Sequence, residues 1–138
     1  MTVTGPVGAD ELGVTLIHEH IFLDLRNDLW LSDRMLNDQE LAYRELMLYK
    51  AAGGVTIVDQ TSGGLRGNRN RILSNKHPLA IREMAQRTGL KIVLGSGWYR
   101  EPYYEPYLWH ASTNQIAEEI VVEVTRDRRH RCPRRPYR

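Results

Sequence analysis

The sequence predicts an α/β fold of parallel strands joined by helical crossovers, and three observations predict it. Short β-branched apolar runs alternate with segments of helical period, in the order strand, helix, strand, helix, strand, helix. Each strand–helix unit takes up about 35 to 40 residues, the length of a crossover unit and not of a hairpin array. Every strand then runs out into polar or glycine-rich sequence, which puts the functional edge at the C-terminal ends of the strands.

The opening segment pairs, by expectation, Thr2 to Thr4 with Gly13 to Ile17 across a turn-rich stretch containing Gly5, Pro6 and Gly8, an N-terminal β-hairpin feeding the first strand. That strand is Val14 to His20, apolar as far as Ile17 and then His, Glu, His. From Asp38 the period becomes helical. Asp38 can cap, Ala42, Leu46 and Tyr49 share a face, and Gly53-Gly54 stops the helix. Val55 to Asp59 is a nearly continuous apolar run ending in a carboxylate, as a parallel strand buried on both faces requires.

After a Gly- and Arg-rich loop, Pro78 opens a second helix with Ile81, Met84 and Ala85 on one face, and Gly89 ends it. Lys91 to Leu94 form the third strand, closing into Gly95-Ser96-Gly97. An aromatic loop, Trp98 to His110, leads to a third helix capped by Ser112 or Thr113, with Ile116, Ile120 and Val124 on its buried side.

At 138 residues and 41% hydrophobic, the chain has the size and composition of one ordinary domain. No apolar run approaches the ~20 residues that span a bilayer, and the start lacks a basic leader and an apolar signal core. The expected address is the cytoplasm, without membrane association. Cys132 is the sole cysteine, so neither an intrachain disulfide nor a cysteine zinc cage can form.

The net charge of +2 conceals a division. Residues 1–125 hold 12 Lys and Arg against 16 Asp and Glu, whereas residues 126–138 hold seven Arg against Asp127 alone. Such asymmetry fits either a nucleic-acid arm or a stretch that does not belong to the fold.

A dinucleotide-binding sheet needs a phosphate-cradling glycine loop after the first strand, and His-Glu-His-Ile-Phe stands there instead. Gly95-Ser96-Gly97 follows the third strand without the remaining glycine spacing and reads as a tight turn.

The histidine pair carries the chemistry. Side chains alternate along a strand, so His18 and His20 point to one face and Glu19 to the other. Neutral imidazole binds zinc and other borderline divalent ions, and two from one side supply half of a tetrahedral shell. The plainer reading is two polar residues at a strand end making ordinary hydrogen bonds.

The stretch GVTLIHEHI resembles the phosphotriesterase family of the amidohydrolase superfamily, including its lactonase and phosphotriesterase-related branches. TGPVGADELGVTLIHEH is similar to the family's hairpin and first strand, GGVTIVDQTSGG to its second strand, and GLKIVLGSGWYREPYY to its third strand and following loop, so the likeness covers residues 1 to about 124. The resemblance implies a partial (β/α)8 barrel, about the first three βα units behind the hairpin. It implies a two-metal centre, most simply zinc, where a hydroxide bound to metal attacks a small-molecule lactone, carboxylic ester or phosphoester. His18 and His20 occupy the positions of the family's first-strand metal ligands. Tyr99, with Trp98 beside it, occupies a position that looks into the substrate pocket. A homodimer is an assembly the resemblance leaves open.

The family's other ligands lie on later strands: a carboxylated lysine or glutamate, two histidines and an aspartate. Where the family would enter its fourth strand, this chain reads TRDRRHRCPRRPYR, without a helical face. Residues 1–125 are therefore expected to be the N-terminal portion of such a barrel. Residues 126–138 are expected to be an aberrant, out-of-frame, disordered basic tail on a truncated gene. Open sheet edges lead us to expect a chain that aggregates or stays loosely folded alone, binds metal weakly and is inactive. The opposing reading is a non-enzymatic fragment whose Arg-rich tail binds nucleic acid by counterion release.

The remaining candidates carry less. The aromatic residues Trp98, Tyr99, Tyr103, Tyr104, Tyr107 and Trp109 can simply pack a long loop over the strand ends. Asp59 is expected to cap the loop that follows it, with a role as partner to a metal-bound imidazole as the alternative. His77 and His110 are expected on the surface, and Arg66, Arg69 and Arg71 in a solvated loop, with a position facing an anionic substrate as the alternative.

Overall fold

The structure is a computed structural model that describes residues 1–25, 35–63, 77–99 and 101–125. The loop arginines Arg66, Arg69 and Arg71, Cys132 and the basic stretch 126–138 lie outside the described residues. In chain order the strands are β1 (Val14–Glu19), β2 (Leu23–Asp24), β3 (Met35–Leu36), β4 (Gly54–Asp59) and β5 (Lys91–Leu94). The helices are α1 (Gln39–Ala51), α2 (His77–Thr88) and α3 (Thr113–Thr125). β1, β4 and β5 form one sheet in that order, each pair parallel. β2 and β3 form a separate antiparallel ribbon. The architecture is α/β, the first three βα units of a partial (β/α)8 barrel.

Local chemistry sets the helices. The Asp38 carboxylate accepts the N–H groups of Glu40 and Leu41, each at 2.9 Å, satisfying two donors that the first turn of α1 leaves open. Leu46 is buried, and Ala42, Tyr43 and Tyr49 pack around the same core. At the other end Gly53 adopts φ +94°, a left-handed conformation that L side chains resist, and the chain turns into β4. The α2 face of Ala80, Ile81, Met84 and Ala85 is buried against Ile57 and Ile92 of the sheet.

Register tells which face is which. Ile57 pairs with Ile92 across β4 and β5, and both enter the helix-covered core. Their neighbours Thr56 and Lys91 also pair, and so share the opposite face. There the Thr56 hydroxyl donates to the Leu12 carbonyl at 2.6 Å and the Lys91 ammonium donates to that of Glu11. The Ala9–Glu11 turn is thereby drawn beneath the N-terminal ends of the strands.

Helix and sheet are clipped together at polar points. The Tyr49 hydroxyl lies 2.8 Å from the Val14 carbonyl and 3.0 Å from that of Thr56, joining α1 to two strands. The Lys50 ammonium donates to the Thr88 carbonyl, tying the C-terminal ends of α1 and α2. Outside, Arg87 pairs with Glu40 at 2.9 Å and lies 4.2 Å over the Tyr43 ring.

Three local expectations are corrected. Thr2 to Thr4 do not pair with Gly13 to Ile17. Thr2 bridges Gly5 in a tight turn, the Val3 N–H donates to the Ile92 carbonyl at 2.8 Å, and β1 takes β4 as its neighbour. The reason lies in Gly5, whose φ of +138° turns the chain within three residues. His77 is fully buried, not on the surface. As the first residue of α2 it meets the segment after β1, with Nε2 3.3 Å from the Phe22 carbonyl and its ring edge-on to Phe22 at 6.4 Å.

The third correction concerns α3, which has no buried residue. Ile116 and Ile120 are half-buried, but Val124 is 56% exposed. The helix meets the segment after β5 through Ser96 to Glu123 at 2.7 Å and Tyr107 to Glu119 at 2.6 Å, and these polar contacts cover little of its apolar side. β1 is likewise bare at the sheet edge, with Ile17 76% exposed. His110 is exposed, as expected.

Candidate functional site

The candidate site lies where β1 and β4 end. β1 carries a register irregularity between Leu16 and Glu19, three residues against the two from Ile57 to Asp59. The extra residue falls in the interval that contains His18. The rings of His18 and His20 stand 5.5 Å apart between centroids, at 70° to each other, so both occupy one side of the strand. His18 is exposed and His20 half-buried.

β4 supplies the support. Asp59, its last residue, is fully buried, and the carboxylate accepts two backbone N–H groups, from Thr61 at 2.8 Å and from Ile21 at 3.3 Å. The Thr61 side chain also hydrogen-bonds to Asp59. On its other side, Thr61 Oγ1 lies 2.9 Å from His20 Nδ1. Asp59 thus caps the turn that follows it and, through Thr61, reaches the imidazole of His20. Thr61 is the residue that sequence reasoning missed. Its only signal was a hydroxyl two places beyond a strand-end carboxylate, and such a residue has too many ordinary uses to be singled out.

Burial sets the electrostatics. Burial lowers the proton affinity of His20, while the nearby Asp59 carboxylate opposes the shift. Burial pushes the Asp59 carboxyl above its ordinary value, and its hydrogen bonds from Thr61 and Ile21 pull it back. An imidazole kept neutral is the form that can donate a lone pair to a cation.

That donor set fits a borderline divalent ion as far as it goes: two adjacent imidazoles at a strand end, one of them buttressed through its other nitrogen. Among the described residues no group of three or more His, Cys, Asp or Glu side chains is placed to hold a metal. The pair is half of a coordination shell.

Trp98 and Tyr99 follow Gly95-Ser96-Gly97 in the segment after β5. The Gly63 N–H donates to the Gly97 carbonyl at 2.8 Å, and Gly63 and Trp98 form a parallel bridge. A Cβ at Gly63 would sit 2.6 Å from the indole, so Trp98 lies directly on that glycine. Its ring also meets Tyr107 edge-on at 6.5 Å. The indole is therefore engaged in packing the loop, whereas Tyr99 is 60% exposed.

The described fold is one of parallel βα units with paired imidazoles at the C-terminal end of β1. Its family follows from comparison: the chain belongs to the phosphotriesterase family, whose profile matches residues 1–129. It is 25% identical over 172 aligned positions to an N-acetyltaurine hydrolase from Dictyostelium discoideum, covering 88% of this chain and 44% of that protein. Among solved structures, a resiniferatoxin-binding protein from Rhodobacter sphaeroides superposes with TM-score 0.75 at 28% identity, covering 89% of this chain and 40% of that one. A multiply substituted PTE-like lactonase from Deinococcus radiodurans superposes with TM-score 0.65 at 31% identity, covering 90% and 39%. The chain thus spans less than half the length of the relatives it matches. Among the described residues no helix is long and apolar enough to cross a membrane.

Proposed function

We propose that this chain forms the opening part of a hydrolase of ester- or amide-type bonds, and that His18 and His20 hold one divalent metal ion, zinc by their donor chemistry. The adjacency of the two rings at the end of β1 carries this reading. Family membership supports it. An amide is implied by the name of one relative and a cyclic ester by that of another, which widens the expected substrate from ester-type bonds to acyl compounds of both kinds.

When bound, the metal supplies Lewis acidity that activates water and polarises the substrate oxygen. The chain's own residues supply placement. Alternation along β1 leaves the two imidazoles on one side, and Asp59 fixes the segments that follow β1 and β4 by accepting an N–H from each. Exposed Tyr99, with Trp98 held beside it on Gly63, offers an aromatic surface to the apolar part of a small substrate. The described residues supply two of the donors that such a centre needs.

Elemental analysis of the purified chain after equilibrium dialysis against zinc tests the reading, with His18→Ala and His20→Ala as comparisons. Retained zinc in the parent chain and its loss in both variants is the expected result, and equal zinc in all three overturns the ligand assignment. Hydrolysis of a lactone, an aryl ester, a phosphotriester and an N-acyl amide by the zinc-loaded preparation then identifies the class of bond.

A further inference from the structure

We propose that Thr61 is a positioning residue that holds His20 in its Nδ1–H tautomer, leaving Nε2 as the nitrogen with the free lone pair. The partners gathered around Thr61 point to a direction for each proton. Asp59 accepts the N–H groups of Ile21 and Thr61 on its two oxygens, so the carboxylate acts as an acceptor there. The Thr61 side chain hydrogen-bonds to the same carboxylate, and a hydroxyl has a single proton to give. With that proton directed to Asp59, Thr61 Oγ1 presents only lone pairs to His20 Nδ1, 2.9 Å away. The contact is a hydrogen bond only if Nδ1 carries the proton. A neutral ring protonated at Nδ1 has its lone pair at Nε2.

The chain of bonds is short and stiff. Asp59 is fully buried at the end of β4, Thr61 follows two residues later with its own N–H on the same carboxylate, and Thr61 is itself fully buried. Neither side chain can turn away without leaving a buried polar group unsatisfied.

The proposal rests on the ligand reading only for what Nε2 is used for. The tautomer is a property of the metal-free chain. An imidazole in water favours the opposite tautomer, with the proton on Nε2, so the measured state reports the protein and not the intrinsic preference. The effect on metal binding is pre-organisation: a ring already facing out through the correct nitrogen need not change its proton or rotate.

Long-range proton–nitrogen correlation spectra of the uniformly 15N-labelled, chelator-treated full chain read the His20 ring nitrogens. The expected result is a protonated Nδ1 and an unprotonated Nε2 in the parent chain, retained in Thr61→Ser and lost to a mixed or Nε2–H state in Thr61→Val. A parent chain with the proton on Nε2 overturns the proposal, as does a Thr61→Val spectrum identical to the parent. The parent spectrum decides the matter alone if the valine variant does not fold. Zinc affinity by competition with a chromophoric chelator should fall about 10- to 100-fold in Thr61→Val and recover in Thr61→Ser. A tautomer that switches as described in a chain that never binds zinc supports the positioning role and removes the ligand reading, so the two failures are distinguishable.

Discussion

The backbone N–H of Ile21 donates to the carboxylate of Asp59 across 3.3 Å, so the chain just past β1 is pinned to the last residue of β4. The site depends on that tie, because His20 is the residue before Ile21 and its ring is met by Thr61 from the β4 side.

Asp59→Ala removes the acceptor of two backbone N–H groups and of a threonine hydroxyl in one step. With about 1–3 kcal/mol for each buried donor left without a partner, the variant should lose at least about 2 kcal/mol. Urea unfolding followed by far-UV circular dichroism checks this: the midpoint should fall with the slope unchanged.

The core makes a contrasting pair of predictions. Met84 is fully buried in the α2 face, whereas Leu48 on α1 is 65% exposed. Met84→Ala should cost about 2–5 kcal/mol, and Leu48→Ala should stay within about 0.5 kcal/mol. Equal shifts in thermal midpoint for the two would mean that the helices pack on the sheet differently.

Gly54, the first residue of β4, has the Tyr49 ring against it, and a Cβ there would meet ring atoms at 2.3 Å. Gly54→Ala should therefore displace the end of α1 and break the Tyr49 contacts to the Val14 and Thr56 carbonyls. Tyr49→Phe keeps the ring and removes only the hydroxyl, at about 0.5–1.5 kcal/mol. The glycine variant should be the more damaging, as read by the order of their urea midpoints.

The aromatic segment separates packing from contact. Gly63→Ala should push the indole of Trp98 off its seat, visible as changed near-UV dichroism and tryptophan emission. Tyr99→Ala, at a residue 60% exposed, should leave both signals and the melting temperature nearly unchanged.

Much of this architecture was legible because local signals and tertiary needs agree. Asp38 caps α1 as its position before the apolar face implies, and Leu46, Ile81 and Met84 are buried on the faces their spacing marks. Lys91 to Leu94 runs as the strand read from its apolar run. The misreadings fall where long-range contact overrides local pattern. A histidine before a proline looks like a surface turn, but the start of α2 docks on Phe22 and encloses His77. The ribbon of β2 and β3 is two residues on each side, too short for any period to show. Val124 follows the apolar stripe of α3, yet a stripe records only which side is apolar and not whether anything covers it.

In the site, strand alternation foresaw that His18 and His20 share a side, because that parity is a property of any strand. It could not foresee the hydroxyl of Thr61, which arrives from 41 residues away in sequence. Loop positions become partners only when two strand ends are brought together.

X-ray absorption at the zinc edge of the metal-loaded chain tests the central claim most directly. The account predicts two imidazole nitrogens at about 2.0–2.1 Å from the ion, with that shell lost when His18 and His20 are both replaced by alanine. An unchanged shell in the double variant, or a parent chain whose zinc shows no imidazole scattering, contradicts it.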